Sequence, residues 1–75
     1  MPHIVVKLYP GRSEEQKSRL AEQIVKDVAT ILKCGEGSVS VAVEEIKPDD
    51  WAEKVYKPDI QDKWDKLYKK PGYTM

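Results

Sequence analysis

Hydrophobic and polar positions alternate at the start of the chain. Across residues 3–9, HIVVKLY, the residues Ile4, Val6 and Leu8 share one face and His3, Val5, Lys7 and Tyr9 the other. Side chains reverse direction at each step of a strand, so this spacing predicts one. Val5 makes the second face partly apolar, so neither face is fully solvated. Pro10-Gly11 is a breaker pair that ends the strand. From Ser13 the period changes. Leu20, Ile24, Val28 and Ile31 recur every three or four residues, widened by Ala21, Val25 and Leu32, which predicts an amphipathic helix. Ser13 and Gln16 have the spacing of a capping box, and Glu14 and Glu15 suit the positive end of the helix dipole. Gly35 is the expected left-handed stop. Residues 38–46, SVSVAVEEI, alternate again, with Val39, Val41 and Val43 opposite Ser40, Ala42 and Glu44. A strand, a helix of about twenty residues and a second strand close as a parallel pair through a right-handed crossover.

The remaining pattern is helical but broken. Pro48-Asp49-Asp50 signals a helix start, and Trp51 and Val55 stand four apart. Pro58 lacks an N–H and fits only the first turn of a new helix. After it, Ile60, Trp64, Leu67 and Tyr68 form a second stripe. Asp59–Lys63, Asp62–Lys66 and Asp65–Lys69 form acid-before-base pairs on the remaining surface, as on a solvated helix face. Pro71-Gly72 closes the helix. Trp64 reads as a core residue.

Composition narrows the class. A chain of 75 residues and 8.6 kDa has room for one domain, residues 1–75, and buries only about 60% of its unfolded surface. Small chains usually add disulfides, a metal or a partner subunit. A single cysteine, Cys34, excludes an internal disulfide. A single histidine, His3, argues against a zinc site, so no metal is expected. Association with further copies is left as the stabiliser. Thirteen basic and thirteen acidic residues cancel, with a pI near 6.6, so the basic excess of a nucleic-acid binder is missing. Mean hydropathy is −0.63 and no apolar run is long enough for a membrane span. With no apolar leader segment in view, a cytoplasmic protein is expected.

Chemistry-bearing residues are few. The glycines form no phosphate-binding loop. Cys34 lies at a helix C-terminus, where a thiolate is not favoured. Ser13 reads as a cap, and His3 as an ordinary strand histidine. Pro2 has more potential, although Met-Pro is also simply a common way to begin a protein, and the residues alone favour that plainer reading. Removal of Met1 would leave a secondary amine held in a ring, which cannot swing and is therefore a rigidly aimed base. An α-amino group ordinarily titrates at about 7.7–8.0, and proline's is intrinsically more basic. Burial and a nearby cation such as Arg12 lower that value, toward the range where a general base works best.

The opening MPHIVVKLYPGRSEEQK, with Pro2 before a short strand and then GRS-x-EQK, resembles the 4-oxalocrotonate tautomerase family. The resemblance runs through SVSVAVEEI and covers residues 2 to about 55. The ending, with Trp51 and KKPGYTM, resembles a longer, dimeric bacterial branch of that family. The resemblance implies an α+β fold, a β-α-β unit with a helical C-terminal extension. Two such units would join into a four-stranded sheet completed by oligomerisation, with a dimer as the expected state. It implies an isomerase without cofactors, acting on a small-molecule enol or 2-oxo acid. Pro2 would be the general acid and base, and Arg12 the grip on a substrate carboxylate. Trp51 would be either the wall of an apolar pocket or a core residue. The family's second arginine, on the second strand, is replaced here by Ser40. Loss of a charged donor to an oxyanion costs about 10²–10³ in rate. The expected substrates are therefore simple enols with one carboxylate rather than dicarboxylate dienols. A weak or inactive small-ligand-binding module of the same fold is the alternative. Hydration or dehalogenation of unsaturated acids is a third, which lacks a water-activating carboxylate on the first strand.

Overall fold

The computed structural model describes residues 1–75. Its backbone divides into two compact units, Met1–Glu45 and Ile46–Met75. The first contains strand β1 (His3–Leu8), helix α1 (Glu14–Leu32), a 3₁₀ turn (Glu36–Ser38) and strand β2 (Ser40–Glu45). The strands pair in parallel, with His3 opposite Ser40 and Leu8 opposite Glu45. This is the β-α-β unit that the alternating and helical patterns predict, with β1 one residue and β2 three residues shorter than the alternating runs. Ile4, Val6 and Leu8 share a face with Val41 and Val43 by that register, and all five are half-buried. Gly11, at φ 120°, makes the turn after β1, a conformation for which glycine is the default residue.

Helix α1 begins as its sequence dictates. The Ser13 hydroxyl accepts from the Gln16 N–H at 3.1 Å, and the Ser13 N–H donates to Gln16 Oε1 at 3.0 Å. The helix ends earlier than Gly35. Lys33 takes the left-handed conformation (φ 56°, ψ 50°), and the Lys33 and Cys34 N–H groups both donate to the Ala29 carbonyl. Gly35 is extended instead, at φ −75°. The reversal needs one left-handed residue, and the 3₁₀ turn at Glu36 leaves Gly35 to start that turn.

The buried stripe is also rotated from the expected one. Lys17, Ala21, Ile24, Val25, Val28 and Ala29 are half-buried, whereas Leu20, Ile31 and Leu32 are 41%, 74% and 61% exposed. Two strands spaced about 4.8 Å apart are no wider than the helix, about 10–12 Å across. They cover one flank of a broad apolar stripe and leave the other open. Lys17 fixes which flank, because its ammonium reaches Glu45 at the end of β2 at 3.3 Å and Glu14 at 2.8 Å.

The second unit opens with α2 (Pro48–Trp51), whose first position is Pro48, as the sequence predicts. The expected break at Pro58 does not occur. The winding widens into a π-helix over Ala52–Gln61 with Pro58 inside it, and the Asp62 N–H donates to the Lys57 carbonyl at 2.9 Å. In an α-helix the Pro58 ring would press on the carbonyl four residues back. Five-residue spacing moves that carbonyl away, so the chain winds past proline rather than restarting. Val55 and Tyr56 are the two buried hydrophobic residues of the molecule, at 4% and 7% exposure.

Beyond Gln61 the second stripe is not helical. A single 3₁₀ turn covers Trp64–Lys66 and Leu67 is extended. The charged residues there are exposed, but no helix aligns them as pairs. Trp64 is not core: it is 38% exposed, with the Lys70 ammonium 5.5 Å from its ring centre. No helix of the molecule is long and apolar enough to cross a membrane.

Candidate active site

Pro2 stands one residue before β1 and is half-buried, while Met1 is wholly exposed. The Ser40 N–H donates to the Pro2 carbonyl at 3.1 Å. The parallel ladder opens at His3, and this bond just before it ties the Pro2 carbonyl to β2. Ser40 in turn is delivered by the 3₁₀ turn, which the Ser38 hydroxyl closes by donating to the Gly35 carbonyl at 2.8 Å.

The register sets the His3 and Ser40 side chains side by side. His3 Nδ1 and the Ser40 hydroxyl are hydrogen bonded at 2.6 Å. The sequence reading treats these residues separately, because they lie 37 positions apart and only the strand offset brings them together. A hydroxyl can donate and accept, so this pair can persist with either neutral tautomer of the ring or with the imidazolium.

Arg12 is not brought to Pro2 within one chain. It is exposed in the turn at the far end of β1. Six extended residues span about 17–20 Å, far more than an arginine side chain reaches. At that end Lys17 engages the carboxylates of Glu14 and Glu45, whereas Arg12 makes no ion pair within the chain. The hydrogen bond to Glu14 raises the Lys17 ammonium above the ordinary lysine range; burial opposes it, and the hydrogen bond to Glu45 adds a smaller rise.

Trp51 belongs to the second unit, at the junction of α2 and the π-helix. Its indole N–H donates to the Tyr73 hydroxyl at 3.0 Å. The Tyr73 ring lies 5.8 Å from that of Tyr56, tilted by 42°. In the sequence Tyr73 appears only within the KKPGYTM ending, as an aromatic residue directly after Pro71-Gly72, with no role of its own. No group of histidine, cysteine or acidic side chains is arranged to hold a metal ion.

A proline-led parallel β-α-β unit with an incomplete sheet defines a class of small proteins whose sheets are completed by further copies, and the comparisons agree with that class. The family profile described as "Tautomerase enzyme" matches residues 2–55. The chain is 42% identical over 73 residues to a "Probable tautomerase" of Xylella fastidiosa (strain 9a5c), covering 97% of this chain and 89% of that one. It is 47% identical over 79 aligned positions to "Tautomerase PptA" of Pectobacterium carotovorum subsp. carotovorum (strain PC1), covering 99% of each. Among solved structures it is similar to TomN, described as a 4-oxalocrotonate tautomerase homologue in the tomaymycin biosynthetic pathway. The TM-score is 0.65 and the identity 34%, over 67% of this chain and 77% of that one. It is also similar to an apo unfused 4-oxalocrotonate tautomerase, with a TM-score of 0.63 and 31% identity, over 65% and 80% of the two chains. The chain belongs to the 4-oxalocrotonate tautomerase family, and its function is of the tautomerase type.

Proposed function

We propose that this chain is a cofactor-independent enol–keto tautomerase of small 2-oxo and enol carboxylic acids, with Pro2 as general base and then general acid. The observation that carries this reading is the setting of Pro2: half-buried, held by the Ser40 N–H, and preceded by a fully exposed Met1. While Met1 is attached, the Pro2 nitrogen is an amide and has no basic lone pair. Removal of Met1 turns it into a secondary amine at the head of a fixed strand.

The neutral amine takes the proton of the enol hydroxyl as electron density moves to carbon. The resulting ammonium returns that proton to the carbon, leaving a ketone and the amine restored. Nothing is gained or lost overall, so neither oxidant nor cofactor is required. Arg12 holds the substrate carboxylate through two parallel hydrogen bonds. Because Arg12 and Pro2 of one chain lie at opposite ends of β1, the arginine comes from a second copy, and a dimer is the working state. Ser40 supplies one neutral donor beside Pro2, and Trp51 an apolar wall. The reading includes a cytoplasmic site of action.

The test is ketonisation of phenylenolpyruvate by wild type and Pro2→Ala, on material whose loss of Met1 is confirmed by intact mass. General acid–base catalysis contributes about 10²–10⁴-fold, and a loss of that size is expected. Turnover that survives Pro2→Ala ends the proposal. A second reading, an inactive binding module of the same fold, draws on the Ser40 hydroxyl being already engaged by His3. NMR titration of the Pro2 amine separates the two: a lowered pKa belongs to the enzyme, an ordinary one to the binder.

A further inference from the structure

We infer that His3 is a positioning residue for the Pro2 amine: together with Ser40 it clasps the head of β1 to β2. The inference rests on the tautomerase reading above, and every group in it belongs to the unit Met1–Glu45.

A chain terminus frays unless something ties it down, and opening there costs little free energy. Pro2 is poorly equipped to resist. It has no N–H, so its carbonyl is the one backbone group that it can offer to β2. That carbonyl accepts from the Ser40 N–H at 3.1 Å, just before the ladder opens at His3. Loss of Met1 makes Pro2 the terminal residue and leaves this bond at the very end of the chain. A base that swings with a frayed end is no longer aimed.

His3 adds a second tie at the same place. Its Nδ1 and the Ser40 hydroxyl are hydrogen bonded at 2.6 Å. One residue of β2 therefore holds Pro2 through its backbone and His3 through its side chain. Both His3 and Ser40 are exposed, so burial does not force the contact; the strand register does. The anchor is fixed in its turn. The Ser38 and Val39 N–H groups donate to the Gly35 and Glu36 carbonyls, each at 3.1 Å, so the chain enters Ser40 through a closed 3₁₀ turn. Any donor at position 40 can bond an unprotonated Nδ1, whereas alanine has none to give.

The clasp acts on the amine rather than on the substrate, so breaking it lowers the fraction of chains in which Pro2 is aimed. Loss of one neutral hydrogen bond shifts such a balance by about two- to tenfold.

The test compares His3→Phe, which keeps a flat ring without polar atoms, with His3→Asn, which keeps a polar atom one bond from Cγ, where Nδ1 stands. Both are made in protein that has lost Met1. His3→Phe should lower kcat by that two- to tenfold factor with KM little changed, alike for phenylenolpyruvate and 2-hydroxymuconate. Hydrogen exchange of the Ser40 N–H should quicken by a similar factor, while amides deeper in β2 keep their protection. His3→Asn should restore most of both. Ser40→Ala breaks the same bond from β2 and should quicken exchange at position 40 as well; adding His3→Phe to it should do little more, because the partner is already gone. Unchanged exchange at position 40 in His3→Phe and in Ser40→Ala overturns the clasp. Quicker exchange with unchanged kcat, beside an inactive Pro2→Ala enzyme, overturns its link to catalysis. A change confined to KM, or to one of the two substrates, makes His3 a substrate contact and overturns it too. Turnover that survives Pro2→Ala overturns the tautomerase reading instead, and the exchange measurement, which needs no catalysis, then decides the clasp by itself.

Discussion

Ser40 shows how one side chain limits what this fold can bind. The resemblance aligns it with an arginine, and the structure pairs its hydroxyl with His3 Nδ1 at 2.6 Å. A neutral donor already shared with a histidine has little to offer a second carboxylate. Ser40→Arg should therefore raise kcat/KM on 2-hydroxymuconate by about tenfold or more, the scale of adding a charged donor. It should do little for phenylenolpyruvate. Steady-state kinetics on the two substrates checks this, and equal changes on both would refute it. Arg12 calls for the opposite experiment. A hydrogen bond to a charged group is worth about 1.5–3 kcal/mol, so Arg12→Ala should raise KM for any monocarboxylate enol about ten- to a hundredfold. Arg12→Lys should recover only part, because an ammonium cannot match the planar fork of a guanidinium. The identities of Pro2, Arg12 and Ser40 as candidates are legible in the sequence. Their spacing is not, because the offset of two parallel strands is not written in either strand alone. That is why His3 looks ordinary until it is paired.

Helix α1 separates what local chemistry dictates from what packing decides. Its start is local, and the Ser13–Gln16 box forms as the sequence implies. Ser13→Ala should lower stability by about 1 kcal/mol, the usual cost of losing such a cap. Its end is not local, since Lys33 rather than Gly35 takes the left-handed position. A side chain there is strained by about 1–2 kcal/mol, and glycine gives back part of that in lost chain entropy. Lys33→Gly should stabilise the fold by about 0.5–1 kcal/mol, read as a rise in the urea midpoint. Lys17 adds a pH dependence of known sign. Its folded-state pKa is raised by Glu14 and Glu45, so its contribution is complete below the ordinary lysine pKa and is lost as pH climbs through the folded value. Wild type should therefore lose stability relative to Lys17→Met only on the alkaline side, with the difference between their urea midpoints constant around neutral pH. In the second unit, the rule that proline restarts a helix fails because it assumes α winding. The π-helix keeps Pro58 inside, shifts the periodicity, and leaves the Ile60–Trp64–Leu67–Tyr68 stripe without a helix to carry it.

The molecule as a whole holds more apolar surface in the open than one short chain can tolerate. Only Val55 and Tyr56 are buried hydrophobic residues, and no residue of the β-α-β unit is buried to that degree. Its sheet has two strands, too few for stability without an element packed on them. Each strand keeps one edge unpaired, and edges of that kind are managed in natural proteins by pairing or covering. Leu20, Ile31 and Leu32 add an apolar flank on α1 beside that sheet. One further copy would double the strand count and cover such a flank, so folding and association should be linked. For a linked equilibrium, apparent stability depends on protomer concentration. The urea midpoint should therefore rise as the protein is concentrated, and sedimentation at the higher concentrations should give a dimer. Leu32→Glu places a charge on the flank without touching Pro2 or Ser40, and should shift the sedimenting species toward monomer while lowering the midpoint. It should also lower tautomerase activity most in dilute solution, because Arg12 is then no longer delivered to a neighbouring Pro2. A concentration-independent midpoint with a monomeric species would refute the dimer and the shared site together. A hexamer would refute the dimer alone.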